Sequence, residues 1–514
     1  MYPGFHADLT PDKPAVIMAG TGRTLTYAEL DERSARLANF LMSHGLRPGD
    51  HVALLSDNDP TVFEVYWATQ RCGLYITPVN SHLAAPEVSY IVNDCGAQAL
   101  IVAASLRGLA AGIAEDIPGV RIRLAFGGDV DGYESYDGAL ASASAERPAV
   151  QPRGSDMLYS SGTTGRPKGI KAPLPDRQVD EPGDVLSLLL QHLYAFDADS
   201  VYLSPAPLYH AAPLRFSAGV HVLGGTVVVM ERFEPVAALE AIERYRVTHS
   251  QWVPTMFIRL LKLDDETRSR YDLSSLRAAI HAAAPCPVSV KQAMIQWWGP
   301  VIFEYYSSTE GIGMTFITSE ESLRKPGSVG KPILGQMHIC DDGGNDVDTG
   351  VVGTVFFERE GEGFSYHNDA NKTRAAQHPR HANWVTTGDI GYVDDDGYLF
   401  LTDRKAFMII SGGVNIYPQE IEDQLAMHPA VLDVAVIGVP DEEMGESVLA
   451  VVQAAPDVTP GPALADELSG FLRERIAGFK VPRAFDFVDE LPRTPTGKLV
   501  KGPLRERYGR VQPV

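Results

Sequence analysis

Short apolar runs alternate with segments whose apolar residues recur at helical spacing through most of the chain. Thr26 and Glu29 have capping-box spacing, and Leu30, Leu37 and Leu41 follow on one helical face until Gly45. Residues 51–56 read as a strand, Asp59-Pro60 opens a helix that ends near Gly73, and 75–78, 86–93 and 99–103 read as strand, helix and strand. The alternation resumes with strands at 201–204, 222–230, 248–253, 276–280 and 301–305. Helices are predicted at 235–245, from Pro254, and at 288–298. Strands alternating with helices require right-handed crossovers, which gives mainly parallel sheets covered by helices on both faces.

The pattern changes between 337 and 401, where short apolar runs are broken by Asp341-Asp342-Gly343-Gly344, Thr349-Gly350 and Asp394-Asp395-Asp396-Gly397. Hairpins of this kind predict a small antiparallel barrel or sheet. After Asp403 a new unit begins, with helices at 418–426 and 464–476 and strands at 431–439, 447–454 and 484–488. The expected fold is α/β: a large N-terminal domain, 1–403, of two parallel-type sheets plus the barrel, and a smaller mobile α+β domain, 404–514.

Composition narrows the function classes. A formal net charge of −22 repels nucleic acid and anionic membrane surfaces, so an anionic ligand needs a local group of cations. No apolar run approaches membrane-spanning length, and Met-Tyr-Pro-Gly-Phe-His does not open a secretory leader. Cys72, Cys95, Cys286 and Cys340 lack paired metal spacing, so reduced thiols and a cytoplasmic location are expected.

The most informative stretch is Tyr159-Ser160-Ser161-Gly162-Thr163-Thr164-Gly165-Arg166-Pro167-Lys168-Gly169. Its glycines let backbone N–H groups converge, its hydroxyls donate, and Lys168 adds charge, a combination suited to polyphosphate. Lys168 is followed by glycine, so this is not a Walker loop. Tyr305-Tyr306-Ser307-Ser308-Thr309-Glu310-Gly311 follows a predicted strand and offers an aromatic face, hydroxyls and a carboxylate. Thr386-Thr387-Gly388-Asp389, Asp403-Arg404-Lys405, Ser411-Gly412-Gly413-Val414-Asn415 and Pro492-Arg493-Thr494-Pro495-Thr496-Gly497-Lys498 complete the set. Taken one at a time, each also reads as an ordinary polar turn.

In this order, from Tyr159 to Lys498, the motifs resemble those of the adenylate-forming (ANL) superfamily, and the chain is most similar to its acyl-CoA synthetases, the fatty-acid and aryl-acid CoA ligases. The resemblance implies an ATP-dependent acid–thiol ligase that forms an acyl-adenylate and transfers the acyl group to coenzyme A, with ATP, Mg²⁺ and CoA as cofactors. It assigns Ser160, Ser161, Gly162, Thr163, Thr164, Gly165 and Lys168 to the phosphates, Tyr306 and Ser307 to the adenine side, and Thr309 to phosphate. Glu310 becomes the Mg²⁺ ligand, and Asp389 and Arg404 hold the ribose. Lys498 becomes the catalytic lysine, His210 the gate of the acid pocket, and Trp252, His281, Ala282, Ala283 and Met314 the pocket lining. Ser411, Gly412, Gly413 and Asn415 form the loop that the small domain brings to the pantetheine tunnel. Ser307 stands where the superfamily has glycine, and Ala406 where its hinge is usually Asp or Lys. An amide bond synthetase passing the same adenylate to an amine, and a luciferase-like oxygenase, stay open, as do the acid itself and homodimer formation.

Overall fold

The structure is a computed structural model that describes residues 2–160, 167–359, 364–404, 407–412, 414–441, 443–493 and 499–509; Ser160, Asp403 and Arg404 are described by backbone alone. The predicted alternation folds into two sheets with helices on their faces. One has eight strands in the order Ser365–Tyr366, Lys168–Lys171, Ser155–Ser160, Tyr75–Val79, His51–Leu55, Ala97–Ala103, Ile122–Phe126 and Glu134–Ser135. Its central strands are parallel. The longer sheet has 14 strands among the described residues, and its parallel core runs Ile302–Ser307, Ala278–His281, His249–Trp252, Val201–Ser204, Thr226–Val229 and Pro14–Met18.

Between the sheets lie the helices Tyr27–Ser43, Thr61–Gln70 and Ala211–Leu223, packed into one core with residues of both. The capping box forms as expected: Glu29 N donates to Thr26 Oγ1, and Thr26 N donates to Glu29 Oε2. All ten residues of Thr61–Gln70 are buried. Glu64 in that helix is paired with Arg33 at 2.8 Å and accepts the Tyr136 hydroxyl at 3.0 Å. The sequence pattern places a strand at 222–230, yet Val222 and Leu223 end the helix Ala211–Leu223 and the strand begins at Thr226. That helix is covered nearly all round, so its apolar residues do not confine themselves to one stripe and the 3.6-residue period is lost.

The antiparallel strands do not close into a barrel. Gln336–Cys340, Gly353–Glu358, Asp389–Val393, Leu399–Arg404, Ser328–Leu334 and Met314–Ile317 continue the long sheet beyond Ile302–Ser307. Gly330 breaks the register there with φ +97°, and a Cβ on it would stand 2.0 Å from the Phe316 carbonyl oxygen. The bulge turns the added strands out of the plane and leaves Gln336–Cys340 as an open edge. From Ile409 onward a separate five-stranded sheet encloses its own core under helices Pro418–Leu425 and Pro462–Arg473. Lys262 donates to the Val431 and Leu432 carbonyls of this unit at 3.0 and 3.3 Å. Among the described residues no helix is long and apolar enough to cross a membrane, and the four cysteines are unpaired.

Three buried histidines tie the layers together in the neutral form. His221 joins Trp67 Nε1, which donates to its Nδ1 at 3.2 Å, to the Ala15 carbonyl at 3.1 Å from Nε2. His249 bonds the Tyr194 carbonyl, and His51 stacks on Tyr75 and meets Lys171 Nζ at 3.0 Å. Burial depresses His51 and His249 to about 4 and His221 to about 3. The unfolded chain, with histidines near 6.5, then binds more protons than the folded one below that pH, so stability is lost as pH falls from about 6.5 toward 4. Melting temperature measured across this window should drop, and His221→Gln should drop less steeply than the parent; parallel curves would show that His221 does not carry the dependence.

Candidate active site

The carboxyl ends of the long sheet's parallel strands gather the predicted residues, as expected for an open α/β sheet. Ile302–Ser307 delivers Tyr306, and the hairpin of Asp389–Val393 with Leu399–Arg404 delivers Asp389, whose Cα partner in the register is Arg404. The Tyr306 hydroxyl donates to Asp389 Oδ2 at 2.6 Å, and Thr387 Oγ1 donates to the same oxygen at 2.7 Å. A buried carboxylate pinned in this way is held ready for a diol. The phenol it anchors presents a half-buried ring for stacking.

Across from this corner stands the phosphate hairpin. Ser155–Ser160 and Lys168–Lys171 pair antiparallel, with Tyr159 opposite Gly169 and Ser160 opposite Lys168. A Cβ at Gly169 would meet Met157 Cε at 2.5 Å and the Tyr159 ring at 3.0 Å, so any larger residue would have to displace the Met157 side chain. Ser161, Gly162, Thr163, Thr164 and Gly165 lie outside the described residues, as does the Ser160 side chain. Lys168 is described: its ammonium is 5.4 Å from the Tyr366 ring centre. Burial lowers its pKa first, and the neighbouring Lys372 ammonium lowers it further, against the pull of Asp369 and Glu310.

Glu310 accepts the Tyr366 hydroxyl at 2.8 Å, which sets the expected metal carboxylate beside the phosphate lysine. One carboxylate with phosphate oxygens and water is a donor set that suits Mg²⁺. Ser307 Oγ donates to the Gly313 carbonyl at 2.7 Å, so the hydroxyl that replaces the usual glycine closes this turn. The Thr309 carbonyl accepts from Arg215 at 3.4 Å, and Arg215 grips Asp156 through two bonds of 2.7 and 2.8 Å. Sequence reasoning missed Arg215 and Tyr366, which lie in none of the motifs the sequence sets apart.

The acid-pocket candidates divide between the two faces of the sheet. His210 caps Ala211–Leu223 and stands 4.5 Å from the Tyr209 ring. On that face Phe216 stacks on Tyr305 at 5.8 Å, and Gln251 donates to the Tyr305 hydroxyl. Met314 lies opposite Ser307 in the register, and Ala283 adopts φ +75° just past the strand end at His281. Trp252 instead packs among Phe257, Trp298 and Phe233 in the core, with its indole N–H donated to Ser250 Oγ at 2.8 Å. His281, fully buried between the strands of Trp252 and Glu304, is also a core residue. Its Nδ1 is 3.9 Å from Glu304 Oε1, Lys291 pairs with that carboxylate, and burial holds the imidazole well below its usual range. Ala282 is buried beside it.

In the smaller unit, Ile409–Ser411 and Val414–Ile416 form a hairpin with Ser411 opposite Val414. Gly412, Val414 and Asn415 are exposed, and Gly412 N donates to the Met444 carbonyl. Gly413, Ala406 and Lys498 lie outside the described residues; Arg493 and Leu499, which flank 494–498, pair as an isolated antiparallel bridge.

Residues 5–362 match the AMP-binding enzyme family, and residues 420–498 match the AMP-binding enzyme C-terminal domain. The chain belongs to the AMP-binding enzyme family. A feruloyl-CoA synthase from Amycolatopsis sp is 36% identical over 520 residues, covering 99% of this chain and 98% of that protein. The long-chain-fatty-acid–CoA ligase FadD13 of Mycobacterium tuberculosis is 32% identical, with 99% and 98% covered. The structure of the amide bond synthetase McbA from Marinactinospora thermotolerans matches with a TM-score of 0.81 at 27% identity, covering 98% of this chain and 99% of that one. For this AMP-binding enzyme, Asp389→Asn should weaken AMP binding by about ten- to a hundredfold, the loss expected of charge-assisted hydrogen bonds. Calorimetric titration with AMP checks it, and unchanged affinity would remove Asp389 from the ribose.

Proposed function

We propose that the protein is an ATP-dependent acyl-CoA synthetase acting on a fatty or aromatic carboxylic acid. The observation that carries this is the convergence of Lys168, Glu310 and the Tyr306–Asp389 pair from two sheets and an added hairpin onto one cradle. In this reading ATP stacks on Tyr306, its ribose meets Asp389 and Arg404, and its phosphates meet the hairpin of Ser160 to Lys168. Mg²⁺, held by Glu310, would offset phosphate charge. A carboxylate oxygen attacks the α-phosphorus, and pyrophosphate departs with the electron pair of the broken P–O bond. Lys498 would stand between the two anions at that moment, the place where an oriented charge lowers a barrier most. The thiolate of CoA then attacks the acyl carbon and AMP leaves.

The domains divide at 403/404 in this reading, and rotation of 404–514 exchanges Lys498 for the Ser411 to Asn415 loop. The exposure of Gly412, Val414 and Asn415 fits a loop waiting for that turn. The acidic composition and reduced thiols support a cytoplasmic location. The likeness to McbA favours one second reading, transfer of the acyl group to an amine.

Pyrophosphate release across aliphatic and aromatic acids, with and without CoA, should show acid-dependent release, and CoA should drive AMP formation; amine-driven AMP release would select the second reading. Lys498→Ala should abolish acid-dependent ATP–pyrophosphate exchange while transfer from supplied acyl-adenylate to CoA survives. Equal loss of both half-reactions would contradict the role given to Lys498.

A further inference from the structure

The five-stranded sheet of the smaller unit has two unlike edges. At one lies Val414–Ile416, paired with Ile409–Ser411, and Gly412, Val414 and Asn415 of that hairpin are exposed. At the other lies Val431–Asp441, whose ladder with Gly445–Ala454 shifts register between Val431 and Asp433. An edge strand leaves main-chain carbonyls without a ladder partner, and a bulge frees one more. The Val431 and Leu432 carbonyls at this shift accept Lys262 Nζ at 3.0 and 3.3 Å. Their donor belongs to the larger unit, where Lys262 is the C-cap of the helix Pro254–Leu261 that follows the strand His249–Trp252.

The gripped edge also anchors the segment assigned above to the first half-reaction. Asp433, next along the strand, accepts two bonds from the Arg493 guanidinium. Arg493 pairs with Leu499 as an antiparallel bridge, and Val500 N donates to the Pro492 carbonyl at 2.8 Å. Leu499 packs against the buried cluster of Ala435 and Ile437 on the same strand. Both flanks of 494–498 are therefore fastened to the strand that Lys262 holds. The opposite edge, with Gly412, Val414 and Asn415, is left to solvent. An ammonium on two carbonyls makes charge-assisted bonds, stronger than those between neutral groups.

We propose that Lys262 is a positioning residue for acid activation: its ammonium latches the Val431–Asp441 edge of the smaller unit to the larger one and so selects the posture in which the Lys498 segment serves the ATP site. This rests on the synthetase reading and assigns a residue to the first of its two postures. Rotation that brings the Gly412 hairpin inward carries Val431 and Leu432 away from Lys262, so the second half-reaction does not use the latch. A contact made in one of two states shifts their populations by its own free energy and no more. Tyr306, Asp389, Lys168 and Glu310 all belong to the larger unit, so the hold on ATP that they provide does not depend on the latch.

The test uses the full chain, with the acid selected by pyrophosphate release and its synthetic adenylate as probes. Lys262→Met should slow acid-dependent ATP–pyrophosphate exchange by about tenfold, the loss expected of charge-assisted bonds. The KM for ATP and the rate of transfer from supplied adenylate to CoA should stay within about twofold, the scale of a surface substitution. Lys262→Arg should restore exchange, and Lys262→Gln serves in place of Lys262→Met if that variant folds poorly. Deuterium uptake over 258–263 and 428–434 reads the contact without activity and should rise in Lys262→Met. Unchanged exchange, equal loss of both half-reactions, or unchanged uptake would each overturn the proposal. Uptake that rises in Lys262→Met, in a protein whose parent shows no acid-dependent exchange, would instead overturn the synthetase reading and leave the contact between the units standing.

Discussion

The Tyr366 hydroxyl reaches Glu310 across the boundary between two sheets, and the site depends on that 2.8 Å bond. Glu310 follows a strand of the long sheet, whereas Lys168 starts a strand of the short one. Arg215, which binds both Asp156 and the Thr309 carbonyl, ties one side to the other. The strand Ser365–Tyr366 does so as well, because Tyr366 pairs in register with Ile170 while its phenol spans to the carboxylate and its ring faces the Lys168 ammonium. One residue therefore links the Lys168 ammonium to the Glu310 carboxylate.

That placement needs a rigid base, and the helices between the sheets supply it. Thr61–Gln70 has no solvent face, and its one carboxylate is held by Arg33 and Tyr136. A buried charge left unpaired would cost several kcal/mol, so these partners are conditions of the fold rather than ornaments to it. The neutral histidines act in the same way: His221 spends both ring nitrogens joining a helix to the first strand. Arg215 extends the scheme to the site, since it binds Asp156 on the strand that leads into the phosphate hairpin and the carbonyl of Thr309 next to Glu310.

Acidity shapes the electrostatics. Among carboxylates that give the chain a net charge of −22, the Lys168 ammonium lies over the Tyr366 ring and Lys372 pairs with Asp369 at 3.6 Å. The Lys291–Glu304 pair, with His281 beside it, shows the contrasting use of charge: wholly enclosed, it fastens a helix to the strand that ends in Tyr306.

The sequence alone determined the α/β class, the capped helix at Tyr27–Ser43 and the order of the motifs, because capping, periodicity and glycine turns are local properties that neighbours along the chain impose. Tyr306, Asp389, Lys168 and Glu310 stand out in the sequence because each lies in a short contiguous motif. Helix Ala211–Leu223 does not, since a helix covered on every side carries no amphipathic period. Only the tertiary structure decided that the antiparallel strands stay open, with Gln336–Cys340 at the edge of the long sheet. It also sent Trp252 and His281 into the core, because which face a strand residue covers depends on strand order, and strand order is not written in any local pattern.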